Sequence, residues 1–232
     1  MRDNLPDCRG KDAQGKAMEN ILEKLGELGV IPVVRIENSE QAVNLGHALI
    51  RGGLPCAEIT FRTAAAEEAI STLVSELPEI LVGAGTVLNK DQARGAVSAG
   101  ARFIVSPGFS PEVVDWCLEN EIPVTPGIAT PTEIMMALER GIGVLKFFPA
   151  NLLGGPTAIK AISAAFTEVK FIPTGGVSAD NLASYLGLRA VHACGGSWLV
   201  KSDLIATGNF DKITELAREA ANIIRIARTG GE

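Results

Sequence analysis

Short runs of β-branched or apolar residues recur at 30–35, 57–61, 80–84, 102–105, 122–125, 143–147, 169–173 and 190–194. Between them apolar positions fall at helical spacing over 39–51, 64–77, 89–99, 111–120, 132–140, 157–166 and 179–186, and a last helix is predicted over 210–227. Asn38-Ser39, Asn89 and Ser110-Pro111 mark helix starts, while Gly52, Gly100 and Gly141 fit helix ends. Strands alternating with helices at intervals of roughly 20 to 26 residues imply right-handed βαβ units and a parallel sheet. Eight units predict an α/β fold of the (β/α)8 TIM-barrel type. A doubly wound open sheet competes, needing fewer strands and a switch point. A helix over 17–28, ahead of the first strand, is expected to cap the bottom of the barrel. Residues 1–16 read as a polar, disordered lead-in, and 17–232 as one domain.

In such a barrel, chemistry sits at the C-terminal ends of the strands. The residues that break the apolar pattern collect there. Lys146 stands inside Val144-Leu145-Lys146-Phe147-Phe148-Pro149-Ala150, and of the nine lysines it alone lies within an apolar run. Burying an unpaired ammonium is costly enough to favour the neutral amine, which is a nucleophile toward carbonyl carbon. A free lysine at neutral pH offers only about one amine in 2,500. A lysine that snorkels from a strand end, or that makes a structural ion pair, is the plainer alternative.

Glu58, Thr60 and Arg62 share one face if the second strand stays extended through Arg62, which would aim a carboxylate, a hydroxyl and a guanidinium toward Lys146. A Glu58–Arg62 ion pair tying strand to loop is the competing explanation. Arg35, at the end of the first strand, has the same two readings. Gly175-Gly176 and Gly195-Gly196 follow the seventh and eighth strands, where barrels often bind phosphate through backbone amides, and Ser197 adds a hydroxyl. Gly83-Ala84-Gly85 lacks the third glycine of a dinucleotide fingerprint and reads as close packing at a strand end.

Charge and composition exclude several classes. A net charge of -6, with no basic cluster, argues against nucleic acid or an anionic membrane surface as partner. No apolar stretch reaches membrane-spanning length. Cys8, Cys56, Cys117 and Cys194 show no C-x-x-C spacing, which suits a reducing compartment, so a cytoplasmic protein is expected. His47 and His192 are too few and too scattered for a metal cluster or a Ser-His-Asp triad.

Taken together, Glu58-Ile59-Thr60-Phe61-Arg62, Val82-Gly83-Ala84-Gly85-Thr86-Val87-Leu88, Ser106-Pro107-Gly108, Lys146-Phe147-Phe148-Pro149-Ala150, Pro173-Thr174-Gly175-Gly176 and Gly195-Gly196-Ser197-Trp198-Leu199 carry a resemblance. Over roughly residues 17–221 the chain resembles the 2-keto-3-deoxy-6-phosphogluconate (KDPG) and 4-hydroxy-2-oxoglutarate (KHG) aldolase family. The resemblance implies a class I aldolase, needing no metal or cofactor, that acts on a small phosphorylated 2-keto acid. It implies that Lys146 forms the Schiff base, Glu58 moves protons, and Arg62 and Thr86 hold the keto-acid carboxylate. It further implies a pocket shaped by Pro107 and Phe148, a phosphate cradle of Thr174, Gly175, Gly176, Gly196 and Ser197, and a homotrimer. Alternatives are an aldolase for the galactonate-derived phosphate, a phosphate-binding isomerase or epimerase, and a sugar-phosphate sensor without catalysis.

Overall fold

A computed structural model describes residues 9–229. Helix α1 (Arg9–Leu28) leads into β1 (Val30–Val34), and α2 (Ala42–Arg51), β2 (Cys56–Thr60), α3 (Ala66–Glu76), β3 (Leu81–Gly85) and α4 (Lys90–Ser98) continue the alternation. There follow β4 (Ile104–Val105), α5 (Pro111–Glu119), β5 (Val124–Thr125), β6 (Gly127–Ile128), α6 (Pro131–Leu138), β7 (Val144–Phe147) and α7 (Gly155–Ser163). The described residues end with β8 (Lys170–Pro173), α8 (Ala179–Leu186), β9 (Cys194–Gly196), α9 (Ser202–Ala206) and α10 (Phe210–Thr229).

All strand pairings are parallel. One sheet has the order β5-β4-β3-β2-β1-β9, and the other β6-β7-β8. Two features join them into a ring. β5 and β6 are one barrel strand interrupted at Pro126, which has no N–H to give to a ladder. β8 meets β9 through the isolated bridges Phe171↔Val191 and Thr174↔Gly195. Eight barrel positions therefore come from nine strand pieces, and the expected (β/α)8 barrel is the fold found.

Strand alternation sorts the apolar residues into two layers. Val34, Ile59, Ala84, Ile104, Leu145 and Phe171 face outward into the layer shared with the helices. Ile31, Cys56, Leu81, Phe103, Val105 and Ile172 face the barrel interior and fill its lower part. Phe103 is fully buried against Gly83, where an added Cβ would collide with its ring. Burial of that ring contributes about 2 kcal/mol.

The same inner cluster receives Leu25 of α1, with Ile21, Leu22 and Leu28 packed around it, so α1 closes the lower end of the barrel. His192 fastens it, with Nε2 2.7 Å from the Leu22 carbonyl, and Arg228 donates to the carbonyls of Gly26 and Glu27. α1 begins at Arg9 rather than at the predicted residue 17. Of the polar lead-in, residues 1–8 lie outside the described residues.

Local signals set the helix starts. Asn38 Oδ1 accepts from Glu40 N at 3.0 Å, and Asn89 Oδ1 from Gln92 N at 2.9 Å. Glu133 Oε2 accepts from Thr130 N at 2.8 Å, and Asn181 Oδ1 from Ser178 N at 2.9 Å. A cap of this kind contributes about 1 kcal/mol. These starts follow the C-terminal ends of strands, so the caps also pin the loops of the open rim.

The eighth barrel strand departs from expectation. It forms over Cys194–Gly196, not 190–194, and pairs with β1 as Val30↔Cys194, Ile31↔Gly195 and Pro32↔Gly196. Gly195 and Gly196 are therefore strand residues rather than the loop after the strand. Close approach explains them: a Cβ on Gly195 would collide with the Thr174 side chain, and one on Gly196 with the Trp198 ring. Among the described residues, no helix is long and apolar enough to cross a membrane.

Candidate active site

Lys146 sits in β7 between Gly127 and Ile172, with its amide donating to Pro126 O at 3.0 Å. It is inward-facing like Ile172 and is 4% exposed. Its Nζ lies 3.3 Å from Oε1 of Glu58, which is 2% exposed. Nζ also stands 5.6 Å from the centroid of the Phe148 ring. The distance to Glu58 is longer than a tight charge-assisted bond of about 2.8 Å, yet within reach for proton transfer. The acid–amine pair is buried below the rim cavity, which is lined by Thr60, two residues along β2 from Glu58, and by Phe148, two residues beyond Lys146.

Glu58 owes its position to a missing side chain. Val33↔Glu58 and Glu58↔Gly83 fix its backbone. A Cβ on Gly85 would run into its carboxylate. Gly85→Ala is therefore expected to push the carboxylate off Nζ and lower kcat by about 10- to 100-fold with a smaller change in KM, since misplacement by ~1 Å costs that much. Steady-state kinetics beside a thermal melt checks this; a variant with unchanged kcat removes the positioning role of Gly85.

Arg62 and Thr86, expected from the resemblance to hold a carboxylate, lie side by side. Arg62 Nε donates to Thr86 Oγ1 at 3.2 Å, and Thr86 has φ 55, in the left-handed region that non-glycine residues rarely occupy. Such strain costs about 1 to 3 kcal/mol and concentrates at functional sites. Extension does not persist through Arg62: β2 ends at Thr60 and a tight turn follows, with Arg62 N donating to Thr60 O at 2.8 Å. The turn still delivers Arg62 to the cavity. Glu58 pairs with Lys146 rather than with Arg62.

The cavity at the rim has a volume of about 500 Å³ and is lined in part by Thr60, Arg62, Phe148, Thr174, Gly175 and Ser197. Gly175 and Gly176 have φ 96 and 81, so both need glycine. Gly176 is exposed beside Asn151, and its carbonyl accepts from Asn181 Nδ2 at 2.9 Å. Pro107 is half-buried, and its carbonyl abuts Gly127, the strand partner of Lys146. Arg35 lines the cavity and pairs with Glu37 at 2.8 Å. Lys201 and Ser202 also line it. Sequence reading passed over both, although a charged residue directly after Leu199-Val200 and close behind Gly195-Gly196 was a usable signal.

Among the described residues, the thiols are buried and add no accessible nucleophile. Burial pushes Cys56 up, with the Glu58 carboxylate contributing, and burial also raises Cys194 and lifts Cys117 to about 12. All three are buried and unpaired.

A family model described as KDPG and KHG aldolase matches residues 21–216. The chain belongs to that family. Over 209 residues it is 50% identical to a 2-dehydro-3-deoxy-phosphogluconate aldolase of Treponema pallidum, covering 90% of this chain and 100% of the relative. The crystal structure of KDPG aldolase from Legionella pneumophila, with pyruvate captured at low pH as a covalent carbinolamine intermediate, is similar with a TM-score of 0.83. Identity is 40%, and the match covers 88% of this chain and 97% of that one. The 2-keto-3-deoxy-6-phosphogluconate aldolase of Zymomonas mobilis, solved with 3-phosphoglycerate, is similar with a TM-score of 0.81 and 36% identity, over 89% of this chain and 95% of that one. The KDPG and KHG aldolase match spans every barrel strand from β1 to β9 and includes both Glu58 and Lys146.

Proposed function

We propose that this chain is a class I aldolase, a lyase that cleaves 2-keto-3-deoxy-6-phosphogluconate to pyruvate and glyceraldehyde 3-phosphate, with 4-hydroxy-2-oxoglutarate as a further substrate. One observation carries the reading: Lys146 Nζ and Glu58 Oε1 lie 3.3 Å apart, both buried, with Nζ 5.6 Å from the centroid of Phe148, which lines the same cavity as Arg62.

Arg62 and Thr86 hold the C1 carboxylate. Transfer of a proton from Nζ to Glu58 frees the amine, which attacks the C2 carbonyl and forms a carbinolamine. Glu58 returns the proton to the departing hydroxyl, so water leaves and a cationic imine remains. Cleavage then follows. Glu58, directly or through water, takes the proton of the C4 hydroxyl, the C3–C4 bonding pair flows into the imine, and the aldehyde departs. The enamine takes a proton at C3, and hydrolysis of the resulting imine releases pyruvate and restores Lys146. Phe148 and Pro107 wall the pocket, while Thr174, Gly175, Gly176, Gly196 and Ser197 cradle the phosphate, Gly196 through close packing rather than a loop amide.

The kinship and the free buried thiols support a cytoplasmic enzyme. A homotrimer is the assembly that the family resemblance implies, and the elution volume of the purified protein checks it.

Sodium borohydride added with pyruvate tests the chemistry. The expected result is a stable mass adduct, located by peptide mapping to Lys146. An isomerase or a sensor on the same barrel gives none. Absence of the adduct, with activity lost to a chelator and restored by a divalent cation, would end the Schiff-base reading.

A further inference from the structure

The sequence is acidic, with 27 Asp and Glu against 21 Lys and Arg, yet the rim cavity is bordered by Arg35, Arg62 and Lys201 and by no Asp or Glu. These cations differ in how far they are already engaged. Arg62 is bonded to Thr86, and Arg35 is paired at 2.8 Å with Glu37. Lys201 is exposed, and among the described residues its ammonium has neither a hydrogen-bond partner nor an ion pair. Arg62 and Lys201 both lack a carboxylate partner among the described residues, and of the three cations Lys201 alone has no polar partner of any kind.

Their places on the ring divide the work. Arg62 and Thr86 follow β2 and β3 and serve the end of the substrate nearest Lys146. Lys201 follows β9, whose neighbours are β1 on one side and β8 on the other. It therefore stands on the sector of the rim that holds Ser197 and Gly175. A 2-keto acid anchored by its carboxylate at Arg62 presents its far end to that sector.

Resting on the aldolase reading above, we propose that Lys201 is a specificity-determining residue that contacts the terminal phosphate and sets the preference for a dianionic tail over a singly charged or neutral one. Backbone amides and a serine hydroxyl recognise oxygen acceptors, whereas a full positive charge scales its attraction with the charge on the tail. An ammonium on a flexible stem reads that charge as a point and demands no planar geometry. Ser197 and Gly175 then fix where the phosphate sits, and Lys201 discriminates how charged the occupant is.

Lys201→Met and Lys201→Arg test this with three substrates: the 6-phosphate, 4-hydroxy-2-oxoglutarate with its carboxylate tail, and dephosphorylated 2-keto-3-deoxygluconate. In Lys201→Met the ratio of kcat/KM for the phosphate over the dephosphorylated substrate is expected to fall about tenfold, mostly through KM. The carboxylate-tailed substrate should fall by less, and Lys201→Arg should recover most of the loss. Binding of inorganic phosphate, followed by calorimetric titration, should weaken in parallel. An equal loss on all three substrates, or an unaltered phosphate affinity, overturns the proposal. Borohydride trapping with pyruvate, which has no tail, reports on Lys146 separately. A wild-type protein that gives no adduct defeats the aldolase reading, while the phosphate titration still judges Lys201.

Discussion

Lys146→Met is expected to lower turnover by about a thousandfold or more and to abolish the borohydride adduct, because methionine matches the length of the stem and supplies no nucleophile. The change also has a structural cost. It strands the carboxylate of Glu58, 2% exposed, without its ion-pair partner, and breaking a buried pair on one side destabilises by about 3 kcal/mol or more. Thermal melts beside the kinetics separate the two effects: the folded variant should bind pyruvate-like carboxylates through Arg62 and Thr86 yet turn nothing over. Residual turnover within tenfold of wild type would show that the amine is not the nucleophile.

Glu58→Gln should cost less, about 10²- to 10⁴-fold in kcat, with KM nearly unchanged. The amide keeps the shape that fits over Gly85 and can still accept a hydrogen bond from Nζ, but it can neither take the proton from the amine nor return it to the leaving hydroxyl. Trapping with borohydride should therefore still reach Lys146, only slowly. Wild-type rates of adduct formation and cleavage in this variant would remove Glu58 from proton transfer. The ordering of the two variants matters, since a nucleophile is indispensable whereas water can partly replace a proton shuttle.

Lys146 was legible in the sequence because a charge inside Val144–Phe147 contradicts its surroundings, and only a partner or a chemical task resolves the contradiction. The helix starts at Asn38, Asn89 and Ser110 were legible for a different reason: capping is decided within four residues. β9 was not. Its three residues, Cys194-Gly195-Gly196, have little intrinsic strand preference, and pairing with β1 selects them over the more apolar 190–194. Arg62 looked like the end of a strand because alternation is a local rule, whereas the turn that ends β2 depends on Thr60 and Thr86 in space. Lys201 was only half legible. A charge directly after Leu199-Val200 marks it along the chain, but only ring closure brings it to a shared cavity with Arg62.

Most strand pairs here share a continuous register, but β8 and β9 touch through two isolated bridges, Phe171↔Val191 and Thr174↔Gly195. The ring thus has a seam, and Gly175 and Ser197 flank its upper end on opposite sides. On the proposed reading, an anion held by both would span that seam, so occupancy is expected to slow amide exchange along β8 and β9 relative to the empty protein. Recognition of the tail would then also tie the two sides of the seam together.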